Sequence, residues 1–226
     1  MGNRKTFLEH LLQQGVSRRS FLRFCTITCS ALALPAGAAK VMADTLATSP
    51  RPSVIWLSFQ ECTGCTESLT RAAEPTVASL ILDHLSLDYH HTLQAAAGNA
   101  AEAARLAAME DSYGRYVLVV DGSIPTQEQE SWSTIAGQTN LQMLAETVEG
   151  AALVVAVGTC ASFGGLPAAT ALYASNPNQS SAAGVAELMD RGAIASRPLV
   201  NVPGCPPLPE VLSATIAPFI AYADLP

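Results

Sequence analysis

The chain carries little charge, and it contains no lysine after Lys40. Only 14% of its 226 residues are charged. Residues 1–43 hold six of the twelve basic residues and one of the nineteen acidic ones, so residues 44–226 carry a formal net charge of −12. A surface this acidic repels phosphate backbones, which excludes nucleic acid as an expected partner. Residues 44–226 also lack an apolar run long enough for a transmembrane helix.

The first 43 residues differ from the rest and predict an export signal. Paired arginines lie in Ser17-Arg-Arg-Ser-Phe21, an apolar stretch runs from Phe24 to Ala39, and Val41-Met-Ala43 resembles a cleavage site. The apolar stretch is too short to span a bilayer comfortably. The sequence therefore predicts a twin-arginine signal peptide over residues 1–43, a mature domain over residues 44–226 and a periplasmic location.

Five short apolar runs alternate with helical patterns and predict a parallel sheet with helices on both faces. The predicted strands are Ser53–Ser58, Leu85–His90, Tyr116–Asp121, Ala152–Val157 and Leu199–Val202. The predicted helices are Thr66–His84 with an interruption near Pro75, Asn99–Asp111, Leu141–Glu149, Ala182–Met189 and Pro207–Tyr222. This pattern favours a flavodoxin-like, doubly wound α/β fold, in which ligands bind at the carboxyl ends of the strands.

Four cysteines follow three of these runs, each in a Gly- or Pro-rich segment predicted as a loop. They are Cys62, Cys65, Cys160 and Cys205. Because the carboxyl ends of parallel strands meet at one edge of a sheet, the four thiolates are expected to converge. Four convergent thiolates indicate a metal site, and an iron–sulfur cluster is the best candidate. The other two cysteines lie in the predicted signal.

Two other uses of the four cysteines remain open from the residues alone. In an oxidising compartment they can pair as two disulfides, and four thiolates can also bind zinc. Either use would make the chain a stabilised periplasmic binding domain. The twin-arginine signature favours the cluster, because substrates of that route are generally folded, and often loaded with a cofactor, before export.

Five segments together resemble the small subunit of nickel–iron hydrogenases. They are Glu61–Glu67, Asp88–His90, Val120–Pro125, Gly158–Gly165 and Val202–Pro207. The resemblance implies that Cys62, Cys65, Cys160 and Cys205 bind one proximal 4Fe–4S cluster facing a large subunit that carries the Ni–Fe centre. It implies no catalytic residue on this chain. Electrons from H2 would pass to an acceptor such as a membrane cytochrome or a ferredoxin-like protein.

The sequence departs from that family in its cysteines. Oxygen-tolerant members carry two more cysteines around the cluster, and the corresponding positions here are Gly64 and Gly165, which implies an ordinary cluster and an oxygen-sensitive enzyme. Members usually continue past the equivalent of Pro226, with His and Cys ligands for two further clusters. No cysteine follows Cys205, so those clusters are not expected here, and a truncated, non-conducting remnant is the alternative.

Glu61 and Glu67 each have two interpretations. They can relay protons or form hydrogen bonds at the large subunit, or they can be acids favoured at a helix start. Family members commonly have an acidic residue after the equivalent of His90, where this chain has His91, so the proton route is doubtful.

Four residues near these motifs are expected to have structural roles. His90 is predicted to be a buried, hydrogen-bonded histidine, and Asp121 a loop cap. Trp56 and Phe163 are expected to keep water away from the cluster.

Overall fold

The computed structural model describes residues 17–31, 35, 37–48, 51–73, 76–81, 85–169, 181–213 and 215. The chain forms two compact units, one of Ser53–Leu69 with Leu87–Leu208 and one of Met1–Pro52 with Thr70–Ser86 and Pro209–Pro226. Among the described helices, none is long and apolar enough to cross a membrane. The predicted boundary at residue 43 stays a prediction.

A five-stranded sheet lies at the centre of the fold. Its strands are β1 (Ser53–Ser58), β2 (Ser86–His90), β3 (Tyr116–Asp121), β4 (Ala151–Val157) and β5 (Leu199–Val202). Their order is β2-β1-β3-β4-β5, and the pairs β1–β3, β3–β4 and β4–β5 are parallel. This is the flavodoxin-like strand order. The predicted α/β sheet is therefore confirmed.

The burial of the strands explains their sequences. Every residue of β1 and β3 is buried, and so is all of β4 except one residue. Strands covered on both faces need continuous apolar side chains rather than an alternating pattern. Ile55, Leu118 and Val154 lie on three successive strands and are each 0% exposed, so the core runs across the sheet.

The described helices fall into three groups along the chain. The N-terminal helices are α1 (Arg18–Ala31) and α2 (Ala38–Thr48). The helices between β1 and β4 are α3 (Gly64–Thr70), α4 (Val77–Ser79), α5 (Asn99–Asp111) and α6 (Asn140–Val148). The helices after β4 are α7 (Gly158–Phe163), α8 (Gly165–Ala168) and α9 (Val185–Asp190). A 3-10 helix (Gln127–Trp132) and a hairpin of Thr134–Ile135 with Gln138–Thr139 precede α6.

Most predicted helices are confirmed, and the exceptions have local causes. Asn99–Asp111 is helical as predicted, and α6 starts one residue early because Thr139 and Gln142 form a capping box. The predicted start at Ala182 is wrong, because Ala183 pairs with Ile124 as a β-bridge before α9 begins.

Two helix predictions extend beyond the described residues. The helical region predicted over residues 66–84 is interrupted between α3 and α4, in agreement with the interruption predicted near Pro75, and residues 74–75 and 82–84 lie outside the described residues. The helix predicted over residues 207–222 begins at residue 209, and most of it lies outside the described residues.

Candidate metal centre

The four cysteines line one cleft at the carboxyl edge of the sheet. The cleft contains about 310 Å³ of space, part of it open to solvent. Its lining residues are Glu61, Cys62, Gly64, Cys65, Gly122, Thr159, Cys160, Gly204, Cys205 and Pro206. They follow β1, β3, β4 and β5, so the topology brings segments distant in sequence to one place. The ligand role of the cysteines stays a prediction.

Two of the four cysteines lie in short helices, so the prediction that each lies in a loop is wrong for Cys65 and Cys160. Helix α3 starts at Gly64, after Thr63 adopts a left-handed conformation with φ of 66°. Helix α7 follows β4 directly, because Gly158 turns the chain with φ of 81°. Glycine reaches this region without the penalty that a Cβ atom adds.

Glycines keep the space beside three of the sulfur atoms. A Cβ atom on Gly158 would lie 2.5 Å from Sγ of Cys65, and one on Gly165 would lie 2.5 Å from Sγ of Cys160. A Cβ on Gly64 would lie 3.1 Å from Sγ of Cys62. A side chain at Gly158 or Gly165 would come closer to the neighbouring sulfur than Cβ atoms normally do, so the glycines keep these two sulfur atoms accessible in the cleft.

Burial and nearby acidic groups raise the pKa of two of the four thiols, those of Cys65 and Cys160. Burial, followed by the charges of Asp121, Cys160 and Cys62, raises the pKa of Cys65 to about 12. Burial and the neighbouring Cys205 also raise the pKa of Cys160. Ionisation of Cys65 and Cys160 is therefore disfavoured here, and bound metal ions would supply the positive charge that favours their thiolates.

Two disulfides and a zinc ion are the alternatives to a cluster at these cysteines. The cysteines of the cleft are all free thiols. Among the described residues, no three His, Cys, Asp or Glu side chains converge closely enough to hold one metal ion. A zinc ion would bind all four thiolates at one atom, whereas a four-iron cluster binds each thiolate at a different iron.

Asp121 lies beneath the cleft and does not cap a loop, so that prediction is wrong. The residue is 0% exposed, and neither carboxyl oxygen has a hydrogen-bond partner in the described part of the chain. Burial raises the pKa of Asp121 to about 7, although the nearby Ser58 hydroxyl and Trp56 indole partly offset that rise. The Ser58 Oγ and Trp56 Nε1 atoms are buried without hydrogen-bond partners as well.

The two glutamates beside the cysteines differ in their surroundings. Burial raises the pKa of Glu61, and a hydrogen bond of 3.3 Å from the Thr63 hydroxyl to its Oε1 opposes that rise. Glu61 lines the cleft. Glu67 is exposed in the first turn of α3, where an acid is favoured by the helix dipole.

His90 is buried and hydrogen-bonded, as predicted. Its Nδ1 accepts a hydrogen bond of 3.2 Å from the Thr92 N–H, so the neutral ring carries its proton on Nε2, which lies 3.3 Å from Oγ1 of Thr66. Burial, followed by the charge of His91, lowers the pKa of His90 to about 4. A neutral histidine therefore packs under the helix of Cys65, with its ring 5.0 Å from that of Trp56.

Trp56 and Phe163, the two aromatic residues expected to exclude water, differ in their exposure to solvent. Trp56 is 2% exposed and lies within β1. Phe163 is 62% exposed at the end of α7, so it does not cover the cleft in this chain alone.

The sequence did not reveal the role of Ser68 and Thr159, whose hydroxyl groups join the cysteine segments to one another. Their only sequence signal is proximity to Cys65 and Cys160.

Comparisons with known proteins find one matching family and several similar hydrogenase small chains. The family model of the NADH ubiquinone oxidoreductase, 20 Kd subunit, matches residues 62–219. The Hydrogenase-2 small chain of Escherichia coli (strain K12) is 39% identical over 94% of this chain and 54% of its own length. The uptake hydrogenase small subunit of Azotobacter vinelandii is 38% identical over 100% of this chain and 60% of its own length. The chain therefore spans between half and two thirds of the length of these curated relatives.

A solved structure agrees with the fold. A chain of the recombinant [NiFeSe] hydrogenase from Desulfovibrio vulgaris Hildenborough superposes with a TM-score of 0.67 at 33% identity. The match covers 75% of this chain and 59% of that one.

Proposed function

The chain belongs to the family of the NADH ubiquinone oxidoreductase 20 Kd subunit, and we propose that it is the electron-transfer small subunit of a nickel–iron hydrogenase. The resemblance that its motifs carry is confirmed by relatives that are hydrogenase small chains. The observation that supports the electron-transfer role is the single cleft that Cys62, Cys65, Cys160 and Cys205 line at the ends of separate strands.

The four cysteines would hold one 4Fe–4S cluster, whose chemistry is the uptake and release of single electrons. Residues of this chain shape the cleft in which the cluster would bind. Gly158 and Gly165 leave room beside two sulfur atoms, and the buried ends of β1, β3 and β4 keep water away from the base of the cleft. The cysteines are proposed as structural and electronic ligands of the cluster and not as acid–base catalysts.

A large subunit is the proposed partner, with the Ni–Fe centre opposite the cleft. Exposed apolar side chains adjoin the cysteine segments in sequence, namely Phe163 (62% exposed), Leu166 (81%) and Leu208 (67%). Exposed apolar residues of this kind are typical of a protein interface. Glu61 and Glu67 are proposed hydrogen-bonding or proton-relay groups at that interface, and a membrane cytochrome or ferredoxin-like protein is the proposed onward acceptor.

Export in the folded state through the twin-arginine route is part of the proposal, because Arg18 and Arg19 precede an apolar stretch. Replacing both arginines by lysine is expected to leave the chain in the cytoplasm. Cell fractionation with the matched Arg23→Lys variant as control measures this, and equal periplasmic amounts in both strains would contradict the export route.

The function is tested by purifying the chain anaerobically together with its large subunit. We expect about four irons per chain, an EPR signal after reduction, and H2-dependent reduction of a dye. Stoichiometric zinc without iron, or two disulfides by thiol counting, would refute the cluster. Binding of the large subunit with a full cluster but no H2-dependent dye reduction would identify a non-conducting remnant.

A further inference from the structure

Side-chain hydroxyl groups join the Cys205 segment to the two other cysteine segments. Ser68 of α3 donates a hydrogen bond of 2.6 Å from Oγ to the carbonyl oxygen of Pro207. Thr159 of α7 accepts one of 3.3 Å at Oγ1 from the Gly204 N–H, and its own N–H donates to the Gly204 carbonyl oxygen at 2.8 Å. These bonds hold the segment on both sides of Cys205.

The sheet alone does not bring the ends of β1 and β5 together. The two strands are three positions apart, which is roughly 14 Å at about 4.8 Å per strand. Strand β5 lies at the edge of the sheet and pairs only with β4. The segment after β5 therefore needs a tie to α3 that does not come from the strand ladder.

The hydrogen bond of Ser68 differs from the usual bond of a helical serine. Such a hydroxyl normally bonds to a carbonyl of its own helix turn, as Ser213 does with Pro209 at 3.0 Å. Ser68 is 3% exposed, and its acceptor is 139 residues further along the chain. A buried donor without this acceptor would be left unsatisfied, so the bond fixes the position of the segment.

We propose that Ser68 and Thr159 are positioning residues that set the separation of the Cys65, Cys160 and Cys205 sulfur atoms. The inference rests on the proposed function, since a fixed separation matters only if one ligand joins these thiolates. Their roles differ. The backbone bond from Thr159 to Gly204 survives any side-chain change, whereas loss of the Ser68 hydroxyl frees the Cys205 segment from α3.

The first experiment measures the cluster. The full chain and its variants are reconstituted anaerobically with ferrous iron and sulfide, and iron release to a chelator is followed by absorbance. Ser68→Ala is expected to release iron roughly tenfold faster than the unchanged chain, as supporting residues of metal sites commonly do. Thr159→Val is expected to release it faster than Thr159→Ser, which keeps the hydroxyl. Ser213→Ala removes a buried serine–carbonyl bond outside the cleft and is expected to match the unchanged chain.

The second experiment needs no iron, so it separates this inference from the proposed function. A short bifunctional thiol reagent is applied to the metal-free chain, and the Cys65–Cys205 cross-linked peptide is measured by mass spectrometry. The yield is expected to fall in Ser68→Ala and not in Ser213→Ala. If the unchanged chain binds no iron, the proposed function fails and cross-linking alone decides the positioning role. Equal cross-linking in the two variants would overturn the inference.

Discussion

Two buried polar regions of the sheet domain differ in whether their polar groups have hydrogen-bond partners within the chain. Around Arg105, which is 1% exposed, every guanidinium nitrogen has an acceptor. Its Nε, Nη1 and Nη2 atoms donate to Glu102, Thr147 and Glu146 respectively, each at 2.9 Å. The Tyr89 hydroxyl completes the group by donating to Glu102 at 2.8 Å. This cluster is satisfied within the chain.

Several polar groups at the cysteine cleft lack partners of this kind in the described part of the chain. Both oxygens of Asp121 have no hydrogen-bond partner among the described residues, the thiols disfavour one another's ionisation, and Thr63 holds a left-handed conformation that is costly for a β-branched residue. Polar groups that serve stability are paired in the folded chain, whereas groups left unpaired tend to mark places where something else binds.

The largest effect is expected at the cleft itself. Cys160→Ser removes one of four ligands, so we expect loss of the cluster and of H2-dependent electron transfer together. Iron analysis and EPR of the purified variant measure this. Ser213→Ala, which changes a buried residue outside the cleft, is the control, and equal iron in both variants would show that Cys160 is not a ligand.

The next largest effect is expected at the satisfied cluster. Arg105→Leu leaves Glu102 and Glu146 without their cation, which should lower the free energy of unfolding by about 3 kcal/mol. The exposed pair of Arg191 with Glu187 is the control, and Arg191→Leu should cost less than about 0.5 kcal/mol. Denaturant unfolding of the metal-free chain measures both.

Iron content should be unchanged in Arg105→Leu at a temperature where the variant is folded. Loss of iron in proportion to that seen with Cys160→Ser would mean that the two regions are coupled, and the contrast between them would not hold.

Asp121 should make stability depend on pH. Its pKa is about 7 in the folded chain, well above the ordinary value of 3.8 for an aspartate, so ionisation disfavours the folded state. This penalty is absent below about pH 4 and grows as the pH rises to about 7, reaching a difference of about 3 kcal/mol between pH 5 and pH 8. Asp121→Asn should remove that dependence, as measured by denaturant midpoints of the metal-free chain.

The exposed Asp190 gives the matched control for that measurement, because Asp190→Asn also removes one carboxylate. If the two variants show the same pH profile, Asp121 is not the group that disfavours the folded state at higher pH.

The smallest change in stability is expected for a pair of glycines. Gly158 and Gly192 both have positive φ, but only Gly158 lies against a sulfur atom. Alanine at either position should cost about 1 kcal/mol of stability because of the backbone conformation. Only Gly158→Ala should also displace Sγ of Cys65, so its iron content should fall while that of Gly192→Ala does not. Equal iron in the two variants would argue against a tightly fitted cleft.

Strands β1, β3 and β4 were predictable because each is an almost continuous apolar run that is buried on both faces. The ends of β1, β4 and β5 also predicted that Cys62, Cys65, Cys160 and Cys205 meet at one edge of the sheet. Helix starts were less predictable. Gly158 sends the chain from β4 directly into a helix, and the sequence pattern around it is too short to reveal periodicity.

The sequence by itself determined the parallel α/β fold, the family and the cysteines that meet at the sheet edge, because local apolar patterns and motif spacing encode all three. The tertiary structure alone decided the bond from Ser68 to Pro207, the unpaired carboxyl of Asp121 and the closeness of Gly158 to Cys65. Those features depend on which atoms of distant segments come within a few ångströms of each other. A linear pattern carries no such distance.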